Sequence, residues 1–204
     1  MYKIAIVIPT LNEEKFIAQC LDCVIRQTFP FTAIDLMVVD GGSNDRTKSI
    51  VEKYQKRYSN IRFIHNPGRI QSIAFNIGVE NSDAPYIVRL DAHALYSMDY
   101  IEKCIDGLQN DSQIGNVGGR CNILPFNDTL WAKTNAILNY SRFGIGGSAF
   151  RVGLKPDYVD SVPFGAFPRS VVEKIGGMRE DLPRAEDNEY NSRLRKAGYK
   201  VFFN

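Results

Sequence analysis

Acidic residues and one histidine follow the apolar runs of this chain at the points where those runs end. Asp40 closes one run, Asp91 and His93 follow another, and Asp187 begins a late polar stretch. A carboxylate and an imidazole two residues apart in an extended tip can both face a divalent cation. Asp187 has the chemistry of a general base, and Asp40 could accept a nucleobase N–H. The pattern indicates a nucleoside-diphosphate site with a base beside it.

The same residues also have structural interpretations. Asp40 could shape a turn, His93 could be a structural histidine, and an acidic pair at 186–187 could complement a helix N-terminus. The functional interpretation is favoured because all of them fall in loops at one predicted edge of a sheet. That edge is where open α/β sheets bind their ligands.

The elements that must position these residues alternate between strands and helices. An apolar, β-branched run over residues 4–8 ends at Pro9, which predicts a strand buried on both faces. Further strands are predicted over 35–40, 61–64 and 86–90. Helices are predicted over 16–25, with Asn12 as the cap, around 50–54 and over 70–79. This order predicts an α/β fold with a mostly parallel central sheet and helices on both faces.

The second half of the chain is less regular. We predict helices over 98–108, 130–138, 171–175 and 186–197, strands over 114–121 and 199–203, and an extended segment over 158–167. The glycine-rich and basic stretch 141–156 is either a surface loop or a mobile lid in which Arg142 and Arg151 supply charge to a diphosphate. A bare final strand would expose a sheet edge, so we expect residues 1–204 to be a single domain truncated at its C-terminus.

Composition places the chain among ordinary globular proteins. Of 204 residues, 44% are hydrophobic and 24% are charged, and the net charge of +2 argues against nucleic acid as a partner. We find no apolar run long enough for a membrane span and no signal peptide, so we expect a cytoplasmic protein. Cys20 and Cys23 lie within a helical pattern, which favours free thiols over a zinc site.

Four sequence blocks carry a family resemblance. They are residues 7–14 (VIPTLNEE), 38–47 (VVDGGSNDRT), 66–68 (NPG) leading to 74–78 (AFNIG), and 185–194 (AEDNEYNSRL). In this order they resemble the family 2 glycosyltransferases, which have the GT-A fold. The Asp-Ala-His sequence at 91–93 and the loop 145–151 resemble the succinoglycan-type bacterial enzymes within that family.

The resemblance implies an inverting transferase that moves a sugar from a nucleotide-diphospho-sugar, here expected to be a UDP-sugar, to a hydroxyl of a glycan or lipid-linked acceptor. The implied setting is bacterial polysaccharide synthesis, at the inner face of the cell membrane. Asp187 is implied to be the catalytic base, and Asp91 and His93 the metal-binding pair. The implied nucleotide-binding residues are Pro9, Thr10, Glu13, Asp40, Arg69 and Asp91, and the implied donor and acceptor pocket contains Gly165, Ala166, Phe167 and Glu186.

His93 departs from the family pattern, because it replaces the second aspartate of the Asp-x-Asp metal motif. Imidazole is a reasonable ligand for Mn²⁺ and a poor one for Mg²⁺. We therefore expect a preference for Mn²⁺ over Mg²⁺, and activity that falls as the pH drops through about 6.5, where histidine is protonated. The Gln/Arg-x-x-Arg-Trp motif of processive synthases has no counterpart in the chain.

The residues after the first strand argue against two other functions, and a third stays open. A sugar nucleotidyltransferase would carry a glycine-rich loop after the first strand, where this chain has Pro9-Thr10-Leu11-Asn12. A dinucleotide-dependent oxidoreductase would carry G-x-G-x-x-G at the same point. A nucleotide-sugar-binding regulatory module without catalysis stays open, because of the histidine at position 93.

Overall fold

The computed structural model describes residues 2–121, 124–125, 128–138, 155–182 and 184–204. Its first half alternates strands and helices, as predicted. The elements are β1 (Ile4–Thr10), α1 (Ile17–Ile25), β2 (Ile34–Asp40), α2 (Thr47–Gln55), β3 (Ile61–His65), α3 (Gln71–Glu80) and β4 (Tyr86–Arg89), with a short 3₁₀ turn at Phe31–Ala33 before β2.

The second half contains four helices and four short strands within the described ranges. They are α4 (Tyr100–Asn110), β5 (Ile114–Gly118), α5 (Leu130–Leu138), β6 (Asp157–Val159), β7 (Ala166–Pro168), α6 (Arg169–Ile175), α7 (Glu186–Lys196) and β8 (Lys200–Phe203). The strand predicted to reach residue 121 ends at Gly118, where a Cβ would lie 2.8 Å from the carbonyl oxygen of Pro163. The extended segment predicted over 158–167 is two strands with a loop between them.

The strands form one sheet in the order β3-β2-β1-β4-β7-β5-β8-β6. Strands β1 to β4 are parallel, and β8 is parallel to β5. Strand β7 lies antiparallel between β4 and β5, and β6 is antiparallel to β8. The expectation that the last strand leaves a sheet edge exposed is therefore wrong, because β8 is paired with β5 on one side and with β6 on the other.

Both faces of the sheet are covered by helices. On one face, Ile4, Ile6 and Ile8 of β1 pack in a core that includes side chains of α1, α2 and α4. On the other face, Ala5 and Val7 pack in a core with side chains of α3, α6 and α7. Since consecutive residues of a strand point to opposite faces, the continuous apolar run of β1 fills both cores, and the predicted two-sided burial is confirmed.

Two further predictions concern cysteines and membrane helices. None of the four cysteines forms a disulfide, and Cys20 and Cys104 are buried, as expected for thiols inside the fold. None of the helices that the structure describes is long and apolar enough to cross a membrane.

Candidate active site

A cavity of about 690 Å³ opens where the parallel strands β1, β3 and β4 end. The loop before β7 and the start of α7 close its other side. It gathers eight of the residues that the sequence singled out, although they are spread over most of the chain: Pro9, Thr10, Glu13, Arg69, Asp91, His93, Glu186 and Asp187. This is the ligand-binding edge of an open α/β sheet.

Asp40 does not line this cavity. Its carboxylate is 3% exposed and accepts from Thr10 Oγ1 (3.1 Å), Ser43 Oγ (2.5 Å) and the backbone N–H groups of Gly42 (2.9 Å) and Ser43 (2.8 Å). Two oxygens have about four acceptor positions in total, so these four donors occupy them. In this arrangement Asp40 organises the turn after β2, and the expectation that it faces a nucleobase is not met.

Asn12 joins the loop after β1 to the loop after β2. Its backbone N–H donates to Ser43 Oγ (2.8 Å), its side-chain Oδ1 accepts from the N–H of Asn44 (2.9 Å), and the N–H of Glu13 donates to Thr47 Oγ1 (2.8 Å). The prediction that Asn12 caps α1 is wrong, because that helix begins at Ile17 without a side-chain cap. Asn12 instead stabilises the cavity wall formed by Pro9, Thr10 and Glu13.

Arg89, the last residue of β4, is the centre of the charged site. It is 2% exposed. Its Nη1 donates to Asp187 Oδ1, and its Nη2 lies 3.0 Å from Asp91 Oδ1 and 3.4 Å from Glu186 Oε1. Nη2 also donates to Gln71 Oε1 at the start of α3. One guanidinium therefore faces three carboxylates, which leaves the cluster with an excess of negative charge.

The acid–base properties of Asp187 follow from this packing. Burial raises the pKa of the Asp187 carboxyl, while the charge of Arg89 opposes that shift. Burial alone would lower the pKa of Arg89, but the carboxylates of Asp187, Asp91 and Glu186 raise it, so the arginine stays charged. The side chain of Asp187 is 33% exposed, so a carboxyl of increased basicity faces the cavity.

Asp91 and His93 are held at the cavity by different partners. The backbone N–H of Asp91 donates to the hydroxyl of Tyr96 (2.8 Å). His93 Nδ1 lies 3.1 Å from Glu13 Oε1, and this hydrogen bond raises the pKa of His93.

Asp91 and His93 both line the cavity, and a carboxylate and an imidazole are side chains of the chemistry that binds a divalent cation. Among the described residues, no three His, Cys, Asp or Glu side chains are arranged so that they could hold a metal ion by themselves. A cation such as Mg²⁺ that accompanies a nucleotide, however, needs only one or two protein carboxylates besides the phosphates. The excess carboxylate charge around Arg89 also favours a cation.

The segment predicted to shape the donor and acceptor pocket, residues 165–167, is not the one that lines the cavity. Ala166 and Phe167 are buried in β7, at 0% and 3% exposure, and a Cβ at Gly165 would lie 2.2 Å from Asn116 Oδ1. These three residues do not line the cavity, and the preceding residues 161–164 do. The physical reason is that β7 pairs with strands on both sides, so its side chains point into the two cores. Glu186 does line the cavity, as predicted.

Left-handed backbone is concentrated around this cavity. In the described ranges the non-glycine residues with positive φ are Asn12, Arg69, Phe164 and Ala185. The last three line the cavity, and Asn12 lies between two residues that do. Such conformations are costly and cluster at functional sites. This is a second indication, independent of charge, that the cavity is the site of function.

Arg89 and Phe164 are among the cavity-lining residues that the sequence did not single out, and one prediction lies outside the described residues. Arg89 had a signal, since a charged residue in an otherwise apolar strand must find buried partners. Phe164 had none. The proposed lid residues Arg142 and Arg151 fall in the part of the chain that the structure does not describe.

The fold and the cavity define the class of the protein. A mixed α/β sheet with an acidic cavity at the ends of its parallel strands is the GT-A architecture, and solved GT-A structures superpose on nearly the whole chain. The UDP complex of TarS residues 1–349 from S. aureus matches with a TM-score of 0.74 at 16% identity, over 99% of this chain and 57% of that one. The mannosyltransferase PcManGT from Pyrobaculum calidifontis, in complex with GDP-Man and Mn²⁺, matches with a TM-score of 0.73 at 21% identity, over 99% and 56%.

The chain belongs to glycosyl transferase family 2, whose model matches residues 5–176. It is 31% identical to the succinoglycan biosynthesis protein ExoA of Rhizobium meliloti (strain 1021), over 97% of this chain and 59% of that protein. It is 28% identical to a dolichyl N-acetyl-alpha-D-glucosaminyl phosphate 3-beta-D-2,3-diacetamido-2,3-dideoxy-beta-D-glucuronosyltransferase of Methanococcus voltae, over 98% of this chain and 64% of that protein. The chain thus spans about three fifths of the length of these relatives.

Proposed function

We propose that the chain is the catalytic domain of an inverting glycosyltransferase that uses a nucleotide-diphospho-sugar. The observation that carries the proposal is the cavity in which Arg89 joins the carboxylates of Asp187 and Asp91, with His93 in the same cavity lining. A base and a pair that can hold a cation for the departing diphosphate, in one cavity, are the two parts that a single displacement at an anomeric carbon requires.

In this proposal Asp187 accepts the proton of the acceptor hydroxyl as its oxygen attacks the anomeric carbon. The new C–O bond forms on the face opposite to the bond that breaks, and the nucleoside diphosphate leaves with the electron pair of that bond. The nucleotide lies along the wall of Pro9, Thr10 and Glu13, and the guanidinium of Arg69 donates hydrogen bonds to the base or to the phosphates. One displacement inverts the configuration and needs no protein nucleophile.

The residues that would hold a divalent cation are Asp91 and His93. When bound there, the cation would neutralise charge on the departing diphosphate. We propose that Mn²⁺ is preferred over Mg²⁺, because imidazole is a poor Mg²⁺ ligand. The Mn²⁺ in the complex of PcManGT supports a metal of this kind.

The donor and acceptor are proposed from the relatives. Complexes of TarS with UDP and UDP-GlcNAc favour a UDP-sugar as the first donor to test, and GDP-Man in PcManGT makes GDP-sugars the second. The names of the relatives from R. meliloti and M. voltae favour an acceptor hydroxyl on a growing glycan or a lipid-linked sugar. Such an acceptor would place the reaction at the inner face of the cell membrane.

The test is release of nucleoside diphosphate from UDP- and GDP-sugars, with Mn²⁺ and with glycan or lipid-linked acceptors. We expect Asp187→Asn to lower kcat at least 100-fold, because the amide cannot accept the proton, while calorimetry shows UDP or GDP still binding. Asp181→Asn is the control, since that aspartate pairs with Arg179 outside the cavity and its loss should leave kcat unchanged.

Full activity in Asp187→Asn would contradict the assignment of the base. Nucleotide binding without turnover for any donor and acceptor would instead favour the regulatory module.

A further inference from the structure

The guanidinium of Arg89 connects three elements at the cavity, and nothing in the sequence motifs gives it a role. Nη1 binds Asp187 at the start of α7, and Nη2 binds both Asp91 after β4 and Gln71 at the start of α3. We propose that Arg89 is a positioning residue that sets the base Asp187 and the cation-binding Asp91 in a fixed relation. The inference rests on the proposed function, because it concerns the same cavity.

The surroundings of Arg89 allow little freedom. Strand β4 is paired with β1 on one side and β7 on the other, and the side chain is 3% exposed. A guanidinium is planar and presents its donors in a fixed fork, whereas a lysine ammonium is a single point charge on a flexible stem. Only the fork can bind Asp187 through one nitrogen while it binds Asp91 through the other.

Arg89 contacts both carboxylates directly. Arg89, at the end of β4, and Asp187, at the start of α7, are 98 residues apart in sequence. The guanidinium is almost fully covered and its two Nη atoms are engaged with protein groups, so it acts through the carboxylates and not on the substrate. Hydrogen-bond partners of this kind are typically worth 10–100-fold in metal affinity or activity.

The deciding variant is Arg89→Lys, which keeps the positive charge and removes the fork. With the best donor and saturating Mn²⁺, we expect kcat to fall 10–100-fold, because Asp187 acts in the chemical step. Donor KM should rise by no more than about 10-fold, because Asp91 holds the cation to which the diphosphate binds. In calorimetry we expect the gain in UDP affinity that Mn²⁺ gives to fall about 10-fold, because Asp91 loses its partner.

Arg62→Lys is the matched control. Arg62 on β3 also forks onto a buried carboxylate, with Nε and Nη2 at 3.0 and 2.9 Å from the Asp35 oxygens, away from the cavity. The Arg62→Lys substitution should lower Tm and leave both kcat and the effect of Mn²⁺ on UDP affinity unchanged. If Arg89→Lys does no more than that, Arg89 only neutralises buried charge and the proposal is wrong.

A double variant and a binding measurement cover the remaining outcomes. If Arg89→Lys does not fold, the Arg89→Gln/Glu186→Gln double variant, which removes one buried negative charge together with the positive one, is compared with Glu186→Gln alone. A kcat ratio near one between these two would overturn the proposal. If the wild-type chain shows no turnover with any donor, the proposed function fails, and the effect of Mn²⁺ on UDP and GDP binding still tests the role of Arg89.

Discussion

His93 is the residue at which this chain departs from the acidic metal motif that it resembles, and its imidazole is 55% exposed at the cavity. We expect His93→Ala to lower Mn²⁺-dependent kcat/KM at least 10-fold, because a ligand is lost. His93→Asp should raise the ratio of Mg²⁺ to Mn²⁺ activity several-fold, since a carboxylate suits the harder cation. The measurement is donor turnover in each metal after treatment with a chelator.

The chain offers a control for His93. His65, the other histidine of the chain, is exposed at the end of β3 and does not line the cavity. His65→Ala should leave both metal activities unchanged. Equal activity of the wild type in Mg²⁺ and Mn²⁺, together with no loss in His93→Ala, contradicts the role of His93 as a ligand.

Residue types and spacing predicted which side chains meet at the cavity better than they predicted what each side chain does there. Asp91, His93 and Asp187 lie together because each follows or opens an element at the same edge. The turn-shaping role of Asp40 was open from the sequence, because three of its four donors belong to Gly42 and Ser43, and only the Thr10 hydroxyl is distant, 30 residues away. The importance of Arg89 depends on a contact 98 residues away.

Among the elements, α3 and β1 pack unusually closely. A Cβ at Gly78 of α3 would lie 2.2 Å from Cγ2 of Val7, in the centre of β1. Val7 is fully buried and stiff at χ1, so it cannot move aside. We expect Gly78→Ala to destabilise the protein by about 1–3 kcal/mol through overpacking, even though alanine favours a helix by up to about 1 kcal/mol. Urea unfolding measures this change.

Gly107 of α4 is the matched position. It also faces a valine on a strand, Val117 of β5, but an added Cβ would lie 3.2 Å from its Cγ2. That contact is tight and needs only a small shift, so the gain in helix propensity should offset most of it. Gly107→Ala should change the free energy of unfolding by less than about 1 kcal/mol. An equal effect of the two substitutions would contradict the packing argument.

Hydrophobic periodicity predicted the alternation of elements well and the sheet less well. Residues 4–8 are apolar on both strand faces, which is sufficient to predict a central strand such as β1. The antiparallel insertion of β7 between β4 and β5 could not be predicted, because three residues carry too little pattern and their partners lie 49 or more positions away in sequence. That insertion is also why the cavity-lining segment precedes Gly165.

At the scale of the whole molecule, the two halves of the chain meet through one continuous sheet. Strand β7 pairs with β4, and the Asn76 side chain of α3 donates to the carbonyl oxygen of Met178 (2.9 Å) and accepts from its N–H (2.8 Å). Because the cavity takes residues from both halves, a ligand bound there stabilises only the fully folded state.

This linkage predicts how nucleotide and metal change thermal unfolding. At a ligand concentration of 100 times Kd the gain in stability is about 2.7 kcal/mol, which for a chain of this size corresponds to a rise in Tm of roughly 5–10 °C. We expect UDP with Mn²⁺ to raise Tm by this amount in one cooperative transition, and a chelator to remove most of the rise. Asp91→Asn, with one cation ligand weakened, should respond to UDP alone about as the wild type does and should gain little from Mn²⁺. Calorimetry that shows two separate transitions would contradict the single folding unit, and a rise that the chelator does not change would contradict the metal.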